Sequence, residues 1–168
     1  MIVGMSVAAF TQLHVIISLI GIAAGLIVLF GLLTARRLPF WTAVFLSTTV
    51  LTSATGFMFH SEKIGPPHIV GAISLVVLAL AIFALYARHL AGFWRVVYIF
   101  GAVFSLYLNA FVGVVQTFLK IPFFNALAPT GQEPPFLVAQ GITLVFFIVL
   151  GVLSFKRFHL AAPAPATA

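Results

Sequence analysis

Long apolar runs separated by short polar segments dominate the pattern of hydrophobic and polar positions along this chain of 168 residues. The runs are continuous and do not alternate, so they favour membrane-spanning α-helices over the strands of a β-barrel. A helix needs about 20 apolar residues to cross a bilayer. The pattern therefore predicts an all-α bundle of five transmembrane helices, at residues 8–34, 40–59, 68–86, 96–119 and 136–155.

Basic residues and prolines mark the ends of the predicted helices. Arg36 follows the first helix directly, and Pro66 and Pro67 suit the first turn of the third helix, where a missing N–H is harmless. We expect residues 1–158 to form a single transmembrane domain. The Ala/Pro-rich tail, residues 159–168, has no apolar face to bury and is predicted to be disordered.

The segment 121–135 is too apolar for an ordinary loop and too short to cross a membrane. Pro122 suits the first position of a helix, and Pro129 ends that helix after less than two turns. Phe123 and Phe124 give it an apolar side. The pattern predicts a short interfacial helix between helices four and five. It leaves open whether this segment is a lid over the bundle or only a loop.

Composition confirms the class of protein that the pattern indicates. The chain is 63% hydrophobic and only 6% charged, whereas soluble domains contain about 25% charged residues. It must be an integral membrane protein with the lipid bilayer as its surroundings, and a nucleic-acid partner is not expected. The chain has no cysteine, which excludes disulfides, thiol catalysis and iron–sulfur ligation by its own residues.

The positive charges lie on one side of the predicted bundle. That side carries six basic residues, Arg36, Arg37, Arg88, Arg95, Lys156 and Arg157. The other side carries Lys63 and Lys120 together with both acidic residues, Glu62 and Glu133. Because basic residues accumulate on the cytoplasmic side, we expect the N-terminus outside and the C-terminus in the cytoplasm. The prediction is a multi-pass membrane protein with its basic side in the cytoplasm.

Polar side chains concentrate in the predicted outer halves of the helices. Amides that face lipid are costly, so we expect these groups to point inward and to form a ligand-binding cluster. An alternative is packing, because Ser and Thr allow close helix contacts and amides bridge helices for about 0.6 kcal/mol each. The candidate ligand-binding residues are His14, Thr52, His68, Asn109, Gln116 and Gln140.

Three histidines near the outer boundary, His14, His60 and His68, are the candidates for metal ligation. Imidazole is the usual protein ligand of haem iron, zinc and copper. His14 paired with His68 or with His60 would suit haem b, which makes haem a candidate cofactor. No carboxylate lies within a predicted span to orient an imidazole, which counts against this hypothesis. The alternative is interfacial histidines that bond water or helix ends.

The run at 105–136, SLYLNAFVGVVQTFLKIPFFNALAPTGQEPPF, resembles a group of small proteobacterial inner-membrane proteins of uncharacterised function. The runs WTAVFLSTTVLTSATGF and HIVGAISLVVLALAIFALY share this resemblance, which extends over roughly residues 10–155. The group has no assigned activity, so the resemblance implies no catalytic residues. A histidine need not occupy the position of His60 in that group, which leaves His14 and His68 as the stronger candidates.

The first functional hypothesis is therefore a membrane protein that binds a small ligand, cofactor or lipid headgroup in the outer polar cluster. The alternatives are a haem- or quinone-linked redox protein, a channel or transporter for a small solute, and an accessory subunit of a larger membrane complex. A homo-oligomer is also possible. Catalysis is less favoured, because no aspartate partners a histidine and no serine lies in a nucleophile motif.

Overall fold

The computed structural model describes residues 1–2, 4–59 and 65–159, and 82% of these residues are helical, with no strand among them. A five-residue π-helical segment, Phe83–Ala87, extends the third helix. The α-helices are α1 Val7–Leu33, α2 Pro39–Gly56, α3 Pro66–Ile82, α4 Phe93–Lys120, α5 Pro122–Leu127 and α6 Pro134–Arg157. His60 and the tail residues 160–168 lie outside the described part of the chain, and so do the predictions made for them.

Prolines and a serine cap set where the helices begin. Proline occupies the first turn of α2, α3, α5 and α6, where its fixed φ suits a helix start. Ser6 caps α1 by accepting a hydrogen bond from the backbone N–H of Ala9 at 3.2 Å. The helix starts therefore follow from local sequence, as the proline pattern predicts.

Four helical segments among the described residues are long and apolar enough to cross a membrane: Val7–Leu33, Pro66–Ala87, Phe93–Lys120 and Pro134–Arg157. This confirms the all-helical membrane class in its general form. α2 is not one of the four, because its 18 residues include many hydroxyl side chains. The five-span count and the orientation in the membrane stay predictions.

α4 is the central helix of the bundle, since it contacts α1, α2, α3, α5 and α6. Its fully buried side chains Ile99 and Leu106 join the core that Phe45 of α2 and Leu78 of α3 also form. α6 lies at the periphery and buries few of its residues. Thr49 and Ser53 of α2 and Ser105 of α4 thereby lie inside the bundle.

The short helix α5 lies between α4 and α6, as the sequence predicts, and is fixed to the end of α4. The rings of Phe124 and Phe118 are 5.3 Å apart, and the Asn125 side-chain amide donates to the Phe118 carbonyl at 3.2 Å. None of the α5 side chains is buried. These contacts anchor the segment to α4, whereas its location at a membrane interface stays a prediction.

The turn that leads into α6 is held by one carboxylate. Glu133 accepts hydrogen bonds from the Thr130 hydroxyl at 2.8 Å and from the backbone N–H groups of Thr130 and Gln132 at 3.1 and 3.0 Å. Burial alone would raise the pKa of this carboxyl, but the hydrogen bonds outweigh it and lower the pKa to about 2. Glu133 therefore stays ionised beside the positive end of α6.

Candidate functional site

His14, in the predicted outer half of α1, contacts α2 through its imidazole ring. Its Nδ1 lies 2.7 Å from the hydroxyl oxygen of Thr55 on α2, and its ring packs edge-on against Phe59 at 5.2 Å. The single hydroxyl hydrogen of Thr55 is donated to the Leu51 carbonyl at 2.7 Å. With the Thr55 hydrogen on the Leu51 carbonyl, Nδ1 of His14 is the donor to Thr55, and the lone pair of the ring is then on Nε2.

One turn further along α1, Ser18 extends this contact between the two helices. Its hydroxyl donates to the backbone carbonyl of His14 at 2.7 Å and lies 3.3 Å from the hydroxyl of Thr52. All four side chains are half-buried. We call His14, Ser18, Thr52 and Thr55 the α1–α2 seam, which places one imidazole and three hydroxyl groups along the line where the helices meet.

Asn109 on α4 makes a different contact, deeper in the bundle. Its side-chain amide donates to the hydroxyl of Thr49 at 3.3 Å, and Thr49 is completely buried. A Cβ at Gly21 of α1 would lie 3.1 to 3.5 Å from the hydroxyls of Thr48 and Thr49 and from the Asn109 amide. The missing side chain at Gly21 makes room for this contact. Asn109 therefore acts as a bridge between helices, which is what the packing interpretation predicts.

A second bridge connects α2 to α3. The hydroxyl of Ser53 donates to that of Ser74 at 3.1 Å, and both side chains are buried. The hydroxyl groups of α2 thus bond to α1, to α3 and to α4. This explains why the least apolar of the long helices still lies within the bundle, since its polar groups find partners on three neighbours.

The two glutamines do not join this cluster. Gln140 on α6 donates through Nε2 to the Phe111 carbonyl of α4 at 3.2 Å, and its Oε1 is buried without a hydrogen-bond partner. Gln116 is exposed on α4, although the sequence predicts that it lies with Asn109. Asn109 and Gln116 do lie on one face of α4. A shared face does not determine how far the neighbouring helices extend beside it, and Gln116 lies where they leave α4 exposed.

His68 lies at the start of α3. Its Nδ1 accepts a hydrogen bond from the backbone N–H of Gly65 at 3.3 Å, and its ring faces Phe57 at 5.8 Å. This ring therefore helps to cap α3, which is the helix-end role that the sequence leaves open as an alternative. Within the described residues, no group of three or more His, Asp or Glu side chains is placed to hold a metal ion.

The chemistry available in the α1–α2 seam is binding through neutral polar groups. The seam offers one imidazole nitrogen with a free lone pair and three hydroxyls, and none of its four side chains is acidic. The candidate ligand-binding residues predicted from the sequence include His14 and Thr52 but not Ser18 and Thr55. Ser18 follows His14 by four residues on one face of α1, and Thr55 belongs to the run of hydroxyls on α2, so both follow from the sequence pattern.

The fold defines the class of protein: the described residues form an all-helical bundle, in which four segments are long and apolar enough to cross a membrane. Comparisons with protein-family models, with curated proteins and with solved structures find no match for the chain. Function must therefore be argued from the geometry of the bundle itself.

Proposed function

We propose that the chain is a bacterial inner-membrane protein of five crossings, with its N-terminus outside, that binds a small polar ligand at the α1–α2 seam. The observation that carries the binding function is the His14 ring, half-buried and in contact with Thr55 at Nδ1, with no hydrogen bond to Nε2 from the described residues. Binding is favoured over catalysis because the seam has no acid or base partner for this imidazole.

The path of α2 beside α1 supports the fifth crossing. α2 begins at Pro39, directly after the turn that ends α1, and Phe45 then lies against Gly25. Near its other end, Thr55 reaches back to His14 in the first half of α1. Its 18 residues make a helix about 27 Å long, close to the roughly 30 Å of a hydrocarbon core. If α1 crosses the membrane, α2 crosses back beside it.

The distribution of charge supports the orientation. The turn after α1, the segment 88–95 and the end of α6 lie at the same end of the bundle and carry six of the eight Lys and Arg residues. The positive-inside rule assigns this end to the cytoplasm. The resemblance of residues 105–136 to proteobacterial proteins supports the bacterial inner membrane as the location.

Native mass spectrometry of the protein purified from its own membrane in mild detergent tests the binding function. We expect the wild-type protein to carry a small-molecule adduct, and His14→Ala to lose it because the Nε2 lone pair is gone. Thr55→Val should weaken the adduct, since the ring loses the group that orients it. An adduct that persists unchanged in His14→Ala, or a wild-type protein without one, would contradict the proposal.

Ser47→Ala is the matched control for these variants. Ser47 is an exposed hydroxyl on the same helix, and it bonds only to the carbonyls of Ala43 and Val44 in its own helix. Its removal takes a hydroxyl from α2 without touching the α1–α2 seam. The adduct should therefore remain at its wild-type level.

A further inference from the structure

A cavity of about 250 Å³ lies at the opposite end of the bundle from the α1–α2 seam. It forms where the turn after α1, the turn between α3 and α4 and the end of α6 meet. Leu32 on α1 contributes to its wall and follows His14 by about five helical turns, which correspond to roughly 27 Å. The cavity is therefore a separate site. Its polar walls are Arg36, Arg37, Thr42, Tyr86, His89 and Tyr98.

The charge in this cavity has no counterpart among its walls. Arg36 and Arg37 are both cationic, and none of the lining residues is acidic. The only acidic residue in the described part of the chain, Glu133, precedes the first residue of α6, whereas the lining residue Phe158 follows the last. The 24 residues of α6 separate the two by about 36 Å. Within the described residues, no carboxylate therefore lies beside the two guanidinium groups.

The polar lining includes groups that are buried as well as groups at the rim. Thr42 and Tyr98 are 6% and 3% exposed, and they bring two hydroxyls to the wall of the cavity. Arg36, Arg37 and His89 are exposed. Guanidinium groups offer forked pairs of N–H donors that match the oxygens of a phosphate, and hydroxyls add further donors. The arrangement suits an oxyanion that enters from the membrane surface.

The two turns that line the cavity have unusual backbone conformations. Within the described residues, the non-glycine residues with positive φ are Ala35, His89 and Leu90, at 54°, 47° and 60°. Ala35 directly precedes Arg36 in the turn after α1. His89 and Leu90 lie in the turn between α3 and α4, and both line the cavity. Hydrogen bonds hold both turns, from Arg36 N–H to Gly31 O at 2.8 Å and from Leu90 N–H to Ala84 O at 3.0 Å. Backbone strain of this kind concentrates at functional sites.

We infer that this cavity binds a phosphate group, supplied either by the headgroup of an anionic lipid or by a free phosphate compound. Its volume is below the roughly 300–1,000 Å³ of sites for drug-sized ligands, so the fit is to a single headgroup. Basic pockets between helices at the cytoplasmic surface are suited to anionic headgroups. Tyr86, which is 55% exposed at the rim, is a residue type that accumulates at this depth of a membrane.

The test compares two lipids that differ by the anionic phosphoglycerol headgroup. Purified full-length protein in detergent is titrated with phosphatidylglycerol and with diacylglycerol, and bound lipid is measured by native mass spectrometry. We expect phosphatidylglycerol to bind at least about tenfold more tightly. The double variant Arg36→Gln/Arg37→Gln should lose that preference. Equal affinity for both lipids, or a preference unchanged in the double variant, would overturn the inference.

Lys156→Gln/Arg157→Gln is the matched control. It removes two adjacent positive charges from the same end of the bundle, but neither residue lines the cavity. The preference for phosphatidylglycerol should therefore stay at the wild-type level. A control that loses the preference as fully as the arginine variant would show general surface attraction and would also overturn the inference.

A second variant tests the cavity independently, in case the double arginine variant does not fold. His89→Asp changes an exposed residue, and aspartate tolerates the left-handed backbone of this position. The new carboxylate at the rim should repel the phosphate and weaken phosphatidylglycerol binding several-fold, and unchanged binding would contradict the site.

Competition with inorganic phosphate distinguishes the two sources of the bound phosphate group, a lipid headgroup and a free phosphate compound. Displacement of the lipid by millimolar inorganic phosphate assigns a free phosphate compound, and retention of the lipid assigns a headgroup.

Discussion

Buried hydroxyl groups differ in whether they have a partner, and this difference predicts the effect of removing them. Ser105 on α4 is completely buried and its hydroxyl has no hydrogen-bond partner, whereas Ser53 bonds to Ser74 at 3.1 Å. An unpaired buried hydroxyl costs about 1–3 kcal/mol. Ser105→Ala should therefore leave the free energy of unfolding unchanged or raise it. Ser53→Ala should lower it by about 0.6 kcal/mol or more.

Unfolding of the purified protein by sodium dodecyl sulfate in mixed micelles, followed by circular dichroism, measures both variants. The two substitutions remove the same atom from a buried site, so each serves as the reference for the other. A larger loss of stability for Ser105→Ala than for Ser53→Ala would contradict the pairing seen in the structure.

The sequence predicts the depth of single residues along the helices but not their exposure or their contacts. Depth along the helices was enough to place His14 and Thr52 near each other, because both positions follow from the predicted ends of α1 and α2. The exposure of Gln116 did not follow, since it depends on how far the neighbouring helices extend beside α4. The cap formed by His68 depends on the conformation at Gly65. Such details are set by packing, which one sequence does not reveal.

The contact between α1, α2 and α4 depends on a glycine. A Cβ at Gly25 would lie 2.5 Å from the Leu106 side chain and 2.9 Å from the ring of Phe45, and both of these are fully buried. Gly25→Ala should therefore lower the free energy of unfolding by about 1–3 kcal/mol. Gly141 on α6 is the control, because a Cβ there would meet nothing within 4 Å.

Gly141→Ala should leave stability unchanged or raise it by up to about 1 kcal/mol, because alanine is the better helix former. The same detergent-unfolding assay compares the two alanine variants. If Gly25→Ala were as stable as Gly141→Ala, the close approach of α1 to α4 would be wrong.

Element boundaries were predicted well where proline sets them and poorly where tertiary contacts set them. Pro122 and Pro66 each start a helix as predicted. The π-helical segment Phe83–Ala87 was not predicted, because its hydrogen-bond pattern has no marker in the sequence. The sequence pattern predicts for Arg36 and Arg37 only a place on the cytoplasmic side of the membrane. Their meeting with the turn between α3 and α4 depends on how the whole bundle packs.

The topology of the whole protein depends on whether α2 crosses the membrane. Four segments meet the length and apolarity expected of a span, whereas α2 carries hydroxyls that lower its apolarity. Those hydroxyls bond to partners on α1, α3 and α4. A helix whose polar groups are satisfied inside the bundle can cross the membrane without exposing them to lipid. The proposed crossing of α2 therefore rests on the partners of its side chains and not on its composition.

Cysteine labelling tests this crossing directly, because the chain contains no cysteine of its own. The described residues Thr34, Met58, Ala91 and Gln132 are exposed and lie outside the helices. We expect Met58→Cys and Gln132→Cys to react with a membrane-impermeant maleimide in intact cells. Thr34→Cys and Ala91→Cys should react only after permeabilisation, since the positive-inside rule assigns their turns to the cytoplasm.

The pair Thr34→Cys and Met58→Cys is informative because these residues flank α2. Opposite labelling of the pair means that α2 crosses the membrane, whereas equal labelling means that it does not. Reversal at all four positions would keep the crossing and invert the orientation. The last result would also move the basic cavity to the outer surface, where it would face a different leaflet. The labelling pattern therefore connects the fold of α2 to the side of the membrane on which each proposed site lies.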